Sequence, residues 1–155
     1  MSLEPPFSIR RLTRNDLSLM EGMLSLFGEA FQDEATYGAA RPGAAYLEGL
    51  LAGETFIAIV ALKAGVVIGG LAAYELRKFE RVRSELYIYD LAVAAAERRQ
   101  GVATALIREI QMIAKERGAY VIFVQADRGD SEAVALYSRL GAREDVLHFD
   151  IPPLP

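Results

Sequence analysis

Apolar residues recur along this chain at spacings that switch between those of strands and those of helices. Residues 7–12 alternate as a short strand does, and polar residues 13–16 offer N-caps for a helix running toward Phe31. A polar, glycine-containing loop is predicted over residues 35–43, and a second helix over residues 44–52. The N-terminal part is therefore predicted to be one strand followed by two helices.

Three strands are predicted next. Apolar residues 55–62 and 66–76 flank a Lys-Ala-Gly turn, which is the pattern of a β-hairpin. The charged stretch 77–83 is interpreted as a solvated turn. Residues 85–93 are rich in the aromatic and β-branched side chains that strands prefer, which predicts a central strand.

The C-terminal part is predicted to continue with a helix that ends at Gly118 and is marked by apolar residues at helical spacing: Val102, Leu106, Ile110 and Ile113. A strand over residues 120–125, a helix over residues 130–140 and a last strand near residues 146–151 follow. The order β-α-α-β-β-β-α-β-α-β predicts a mixed α/β fold.

Length and composition agree with a single domain, residues 1–155. The chain is 52% hydrophobic and 25% charged, close to globular averages, and it has no internal repeat. No apolar run approaches the roughly 20 residues that a membrane span needs. Residues 1–6 lack the basic flank and apolar stretch of a targeting signal. We therefore expect a cytoplasmic protein that does not bind membranes.

Residue usage narrows the chemistry. Without cysteine the chain has no disulfide, no acyl-cysteine intermediate and no thiolate metal site, and a single histidine, His148, cannot anchor a His-rich zinc cluster. We expect no metal, and catalysis by carboxylate, Tyr, Lys or hydroxyl groups. A net charge of −4 and a pI near 5.1 disfavour nucleic acid and suit a cationic ligand.

The turn before the third helix has the composition of an anion site. Unpaired backbone N–H groups and the positive end of the helix dipole attract anions at a helix start. Gly101 and Ala103 leave room for phosphate oxygens, Arg98 and Arg99 supply charge, and Thr104 supplies a hydroxyl. In isolation the same residues are compatible with an ordinary solvated loop.

The strand ending Leu91-Ala92-Val93, followed by R-x-x-G-x-A and an apolar helix, resembles the motif of the GCN5-related N-acetyltransferase (GNAT) superfamily. The resemblance implies a mixed, mostly antiparallel sheet of about six to seven strands with about four helices, and acetyl-CoA as co-substrate. It implies that pantetheine pairs with the backbone around Leu91 and Val93. The implied cofactor-binding residues are Leu91, Ala92, Val93, Arg98, Arg99, Gln100, Gly101, Val102, Ala103, Thr104 and Ala133.

A second family signature, N-x-x-A-x-x-x-Y, is similar to residues 130–137, which keep Ala133 and Tyr137. The resemblance makes Tyr137 the general acid that protonates the leaving thiolate. Asp130 stands where the family more often has Asn, and a helix N-cap explains it.

Asp90 is predicted to be the base that takes a proton from the amine, directly or through water. It lies in a strongly apolar strand, where a buried charge is costly without a purpose or partner. Pairing with an arginine, or capping of neighbouring backbone groups, is the structural alternative. Glu85, on the opposite strand face by alternation, is the runner-up, and His148, without a nearby partner in sequence, is interpreted as structural.

A longer resemblance points to type I aminoglycoside 3-N-acetyltransferases and is carried by residues 26–28, 31–33, 35–37, 55–58, 87–93, 118–122, 124–127 and 141–151. It implies acetylation of the 3-amino group of 2-deoxystreptamine, resistance to these antibiotics, and a homodimer. Carboxylates that suit such a polycation are Asp33, Glu34, Asp127 and Asp150. Transfer to a polyamine or a protein N-terminus, and a non-catalytic acyl-CoA-binding module, stay open as alternatives.

Overall fold

A computed structural model describes residues 6–155, and the segment in which we predict no targeting signal lies mostly outside the described residues. The chain divides into two compact units, Met1–Gln125 and Ala126–Pro155. The first contains β1 (Ser8–Arg11), α1 (Leu17–Ala30), a π-helical turn (Ala35–Ala39), α2 (Ala44–Ala52), β2 (Phe56–Lys63), β3 (Val66–Arg77), β4 (Ser84–Val93), a 3-10 turn (Ala95–Glu97), α3 (Val102–Arg117) and β5 (Ala119–Val124). The second contains α4 (Ser131–Leu140).

The sheet has five strands in the order β1-β2-β3-β4-β5. Strands β1 to β4 pair antiparallel, whereas β4 and β5 pair parallel. The prediction of a mixed sheet is confirmed, but the expected six to seven strands are wrong. The strand predicted over residues 146–151 is absent from the structure. Alternation of apolar and polar residues favours extended backbone, but a strand also needs a neighbouring strand with which to pair. The unit Ala126–Pro155 contains no strand with which it could pair.

Helices cover the two faces of the sheet in the first unit. On the α3 face, Leu106 and Ile110 are fully buried with Ile59 and Leu71 of the sheet. On the α1 face, Met23 and Phe27 join a buried cluster with residues of the strands and of α2: Leu47, Phe56, Ala58, Val60 and Ala72. Both faces therefore bury apolar side chains, which explains the nearly continuous apolar run of β2.

Two adjacent glycines in β3 bring the helices close to the sheet. A Cβ at Gly69 would lie 2.7 Å from Cγ1 of Val102, the first residue of α3. A Cβ at Gly70 would lie 2.6 Å from Cγ of Met23 in α1. Because neighbouring strand residues face opposite sides, one glycine admits each helix. The Gly-Gly pair thus sets the distance of both helices from β3.

Most predicted boundaries agree with the structure to within one or two residues. Helix α3 ends at Gly118, which adopts a left-handed conformation with φ 73°, as predicted for a C-terminal cap. The loop predicted over residues 35–43 is wrong in part, because Ala35–Ala39 forms a π-helical turn. Within residues 6–155 no helix combines the length and apolar character needed to cross a bilayer.

Replacing Gly69 tests the close approach of α3. We expect Gly69→Ala to lower the free energy of unfolding by about 1–3 kcal/mol, because the added methyl group meets the stiff, β-branched Val102. Gly49→Ala is the matched control: Gly49 is exposed in α2 with open space around it, and alanine there should stabilise by up to about 1 kcal/mol. Urea denaturation measures both. A neutral Gly69→Ala would contradict the tight packing.

Candidate functional site

A β-bulge in β4 brings Asp90 and neighbouring tyrosines onto one face of the sheet. Ala72 of β3 pairs with Asp90 and Ala73 pairs with Ile88, so Tyr89 is the extra residue. Glu85, which pairs with Leu76, then lies on the same face as Asp90. The expectation from simple alternation that these two carboxylates face opposite sides is therefore wrong.

Asp90 accepts a hydrogen bond from the phenol of Tyr37, with 2.9 Å between the two oxygens. Tyr37 lies in the π-helical turn and packs against Phe27 of α1 and against Phe31, the residue that follows the helix, with ring centroids 5.9 and 5.7 Å away. Arg41 donates to the backbone carbonyl of Tyr37 and to the hydroxyl of Ser25. Contacts with α1 and with the residue after it thus orient the phenol of Tyr37 toward Asp90 of β4.

The environment makes Asp90 a stronger base than a free carboxylate. Burial raises the pKa of Asp90, and the hydrogen bond from Tyr37 opposes this only in part. Burial also raises the pKa of Tyr37, together with its hydrogen bond to Asp90, so Tyr37 stays protonated as a donor. Asp90 therefore combines partial burial with a single neutral donor, whereas the structural alternative of an arginine partner is not seen within residues 6–155.

Aromatic rings line the sheet around Asp90. Tyr74 and Tyr87 each meet the exposed Tyr89 edge-on, with centroids 5.9 and 5.7 Å apart. Phe123 of β5 stacks on Tyr87 at 4.6 Å, nearly parallel. This set, Tyr74, Tyr87, Tyr89 and Phe123, is called the tyrosine wall below. Aromatic faces attract cations, so the wall suits a cationic ligand.

Of the four carboxylates predicted to bind substrate, Asp33 lies in the first unit, close enough to Tyr37 for its charge to act on that phenol. Its charge contributes to the raised pKa of Tyr37, and its Oδ1 accepts from the backbone N–H of Thr36. Glu34 is exposed at the start of the same turn. Glu85 is engaged elsewhere: it accepts from the hydroxyl of Tyr120 and pairs with Lys78 at 3.6 Å.

The backbone of β4 becomes unpaired on one side just beyond the bulge. Its parallel pairing with β5 ends at Ile88, opposite Val124. From Tyr89 to Val93 the strand keeps β3 as a neighbour but has no partner on the β5 side among residues 6–155. This edge includes Leu91, Ala92 and Val93, the residues predicted to pair with pantetheine, and it offers N–H and C=O groups to an extended ligand.

The turn between β4 and α3 is shaped as an open anion site. Arg99 and Gly101 both have left-handed backbone, with φ 60° and 81°, and a Cβ at Gly101 would meet nothing within 4 Å. No side chain caps α3, so the N–H groups of its first turn, at Val102, Ala103 and Thr104, stay available. Arg98 donates to the carbonyl of Val93 at 3.4 Å. Gln100 is exposed beside them.

The second unit carries the remaining predicted residues. Asp130 caps α4 by accepting from the N–H of Ala133 at 3.1 Å, as predicted. Burial, followed by the charge of Asp130, raises the pKa of Tyr137 to about 12. Asp127 and Asp150 are exposed. His148 has a partner close in sequence after all, because its Nε2 lies 2.9 Å from Oδ1 of Asp150.

Comparison with known proteins identifies the family. Residues 20–142 match the model of the acetyltransferase (GNAT) family. The chain belongs to the GNAT family. Members of this family use acetyl-CoA, and the unpaired edge of β4 and the uncapped start of α3 suit its extended arm and its phosphates.

Two solved structures are similar to this chain over nearly its whole length. An aminoglycoside acetyltransferase, HMB0005, from an uncultured soil metagenomic sample is 55% identical, with a TM-score of 0.93 and coverage of 99% of this chain and 100% of the other. The aminoglycoside acetyltransferase meta-AAC0020, also from soil and solved in complex with sisomicin, is 31% identical, with a TM-score of 0.90 and the same coverage.

A curated relative is more distant. N-acetyltransferase family 8 member 2 of Rattus norvegicus is 28% identical over 90 residues, which is 58% of this chain. The matched stretch spans 40% of that protein's length.

Sequence reasoning missed Tyr37 as the partner of Asp90 and missed the tyrosine wall. Tyr87 and Tyr89 lie close to Asp90 in sequence, but simple alternation places both on the strand face opposite to Asp90, so the pattern alone does not indicate the wall. The contact of Tyr37 has no local signal either, because 53 residues separate it from Asp90. No group of three or more potential ligands is placed to hold a metal ion in the described ranges, and the expectation of no metal stays a prediction.

Removing the hydroxyl group of Tyr37 should raise the pKa of Asp90 further, because the hydrogen bond from that hydroxyl partly offsets the effect of burial. We expect the side-chain carboxyl ¹³C signal of Asp90 to titrate at higher pH in Tyr37→Phe. With the higher pKa, Asp90 of the folded variant stays protonated up to a higher pH. At a given acidic pH, a smaller fraction of Asp90 is then in the ionised carboxylate form. Tyr46→Phe, at an exposed position in α2, is the control. An unchanged or lowered pKa in Tyr37→Phe would show that the hydrogen bond is not formed.

Two glycines at opposite ends of α3 separate a binding effect from a folding effect. Gly101 and Gly118 both have positive φ and open space at Cβ, so alanine at either should cost about 1 kcal/mol of stability. Only Gly101→Ala adds a methyl group at the proposed phosphate site. We expect calorimetry to show acetyl-CoA binding weakened by about tenfold, or about 1.4 kcal/mol, in Gly101→Ala. Equal affinity in the two variants would argue against a phosphate site at Gly101.

Proposed function

We propose that this chain transfers the acetyl group of acetyl-CoA to the 3-amino group of 2-deoxystreptamine aminoglycosides. The observation that carries the proposal is Asp90: a partly buried carboxylate with a raised pKa, on a tyrosine-lined face, beside the unpaired edge of β4. The aminoglycoside acetyltransferases that resemble the chain over its full length support the substrate class. Such an activity would protect a cell from these antibiotics.

Acetyl-CoA supplies an acetyl group activated as a thioester. The backbone of Leu91, Ala92 and Val93 would hold its pantetheine arm by added-strand hydrogen bonds. Its pyrophosphate would be held by charge and by backbone N–H groups at the start of α3. The residues proposed for this second role are Arg98, Arg99, Gln100, Gly101, Val102, Ala103 and Thr104. Ala133 of α4 is proposed as a further coenzyme-binding residue because it matches the second family signature.

Asp90 acts as the general base in this proposal. An alkylammonium group is mostly protonated near neutral pH and has to lose a proton before it attacks the thioester. The Oδ atoms of Asp90 accept that proton, either directly or through one water molecule. Because the pKa of Asp90 is raised, it differs less from the pKa of the ammonium group, and the proton transfer is less unfavourable.

Tyr137 acts as the general acid. With its pKa raised to about 12, the phenol is protonated at neutral pH and donates to the leaving sulfur. A thiolate has a conjugate pKa near 8.5, so full transfer from Tyr137 is uphill. Tyr137 therefore stabilises the departing thiolate chiefly as a hydrogen-bond donor and transfers its proton late.

Negative charge and aromatic rings suit the polycationic acceptor. Asp33 and Glu34 border the turn that carries Tyr37, and Asp127 and Asp150 are proposed to bind further ammonium groups. The tyrosine wall adds cation–π attraction beside Asp90. We further propose that the enzyme is a homodimer, as its resemblance to type I 3-N-acetyltransferases implies.

An acceptor panel tests the function. Purified protein with acetyl-CoA should release thiol with sisomicin or gentamicin, and NMR of the product should place the acetyl group on the 3-amino nitrogen. Turnover with spermidine or a peptide amine, but not with the aminoglycosides, would replace the substrate assignment. Acetyl-CoA binding without turnover of any amine would point to a non-catalytic acyl-CoA-binding module.

Removing the base tests the mechanism. We expect Asp90→Asn to lower kcat by about 10², while acetyl-CoA still binds, as is usual for loss of a general base. Asp145→Asn is the matched control, because Asp145 is an exposed carboxylate paired with Arg143 at 2.9 Å. Unchanged turnover in Asp90→Asn would remove Asp90 from the chemistry.

A further inference from the structure

Side chains on the Asp90 face of the sheet form three rows that run across neighbouring strands. Register partners on β3, β4 and β5 make up the first row: Leu76, Glu85 and Val121. Register partners on the same strands, all members of the tyrosine wall, make up the second row: Tyr74, Tyr87 and Phe123. Asp90, opposite Ala72, belongs to the third row. An aromatic row therefore lies between two rows that each carry one carboxylate.

The spacing of these two carboxylates suits a ligand with two ammonium groups. The partners of Glu85 and Asp90 on β3 are four residues apart, Leu76 and Ala72, which is about 13 Å along a strand. An ammonium nitrogen lies about 2.8 Å from a carboxylate oxygen to which it donates. A ligand whose ammonium groups are about 7 Å apart therefore bridges the carboxylates and covers the aromatic row with its body.

Glu85 attracts a cation of this chain without being saturated by it. Nζ of Lys78 lies 3.6 Å from Oε1 of Glu85, beyond hydrogen-bond distance, and Oε1 also accepts from the hydroxyl of Tyr120. Lys78 is shared, because its Nζ also lies 3.6 Å from Oε1 of Glu80. Among residues 6–155 no hydrogen bond reaches Oε2 of Glu85. This carboxylate can therefore accept a stronger bond from another ammonium group.

The first row is open to solvent within the first unit. Leu76 and Val121, which flank Glu85, are 41% and 40% exposed. The side chain of Glu85 between them is 19% exposed. It is thus within reach of a ligand on this face but partly shielded from water, and salt screens its charge less than that of a fully exposed carboxylate.

We propose that Glu85 is a second ammonium-binding residue of the acceptor site and that Lys78 occupies it when no acceptor is bound. This inference rests on the proposed function and gives the acceptor a minimum length. An aminoglycoside with its 3-amino group at Asp90 places an ammonium group of a neighbouring ring at Glu85, and its sugar rings cover the tyrosine wall. Lys78 is displaced and keeps Glu80 as its partner.

Two substitutions with opposite expected effects test this subsite. Glu85→Gln removes the charge but keeps an oxygen that can accept from Tyr120, and Lys78→Met removes the competing ammonium group. Glu54→Gln is the matched control, because it removes the same charge at an exposed position before β2. Calorimetry in the presence of CoA measures the affinity for sisomicin and for 2-deoxystreptamine, whose amino groups are all on one ring. Thiol release gives KM and kcat for sisomicin.

We expect Glu85→Gln to weaken sisomicin binding about tenfold, with a matching rise in KM and with kcat unchanged to within about twofold. Lys78→Met should strengthen sisomicin binding about threefold, because the ligand no longer competes with an internal cation. In the double variant, Lys78→Met should add nothing to the effect of Glu85→Gln. The affinity for 2-deoxystreptamine in every variant, and for sisomicin in Glu54→Gln, should change by less than about twofold.

Equal affinity of Glu85→Gln and the unaltered protein for sisomicin would overturn the subsite. A gain from Lys78→Met that persists in the double variant would overturn it too, because it would reflect only a long-range effect of charge. So would a fall in kcat at unchanged KM in Glu85→Gln, which would make Glu85 a base. The proposed function fails separately: a protein that binds sisomicin through Glu85 but acetylates no aminoglycoside keeps the subsite and loses the function.

Discussion

The separation of β4 from β5 after Ile88 is the constraint on which the candidate site depends. Parallel pairing stops at Val124, while β3 continues to support β4 as far as Val93. The bulge at Tyr89 lies at this point and turns Asp90 onto the tyrosine-lined face. One local irregularity thus produces an open backbone edge and a partly buried carboxylate side by side, which are the two features on which the proposed function rests.

The close approach of α1 and α3 to β3 fixes the segments that surround the gap between β4 and β5. Gly69 admits the first turn of α3, so the uncapped N–H groups start directly against the sheet. Gly70 admits α1 on the other face. Helix α1 then supports the π-helical turn: a Cβ at Gly28 would lie only 3.3 Å from Cβ of Tyr37. The chain of contacts from Gly70 through α1 to Tyr37 ends at Asp90, so packing of the core sets the environment of this carboxylate.

Local patterns in the sequence predicted most helices and strands. The features that they did not predict depend on contacts between residues distant in sequence. Helix α3 and its glycine cap follow from spacing alone, as does the hairpin around Ala64. The segment of residues 146–151 shows the limit of local patterns, because alternation predicts extended backbone but not whether a pairing strand exists. Asp90 was found from its apolar surroundings and its family motif, whereas its face and its partner Tyr37 depend on a bulge and on a contact distant in sequence.

Asp16 and Asp90 show how the partners of a carboxylate that is shielded from water set the direction of its pKa shift. Asp16 is only 6% exposed, and burial acts to raise its pKa, but hydrogen bonds from Thr13 and Arg10 outweigh that effect and lower it. Its charge is satisfied, so it stabilises the fold above the pKa of a free carboxyl and loses this contribution as pH falls. Asp90 has one neutral donor and a raised pKa, so its ionised form costs stability as pH rises. A carboxylate whose ionised form is destabilised by burial is stabilised strongly when a cation binds beside it. This is the electrostatic argument for an ammonium substrate at Asp90.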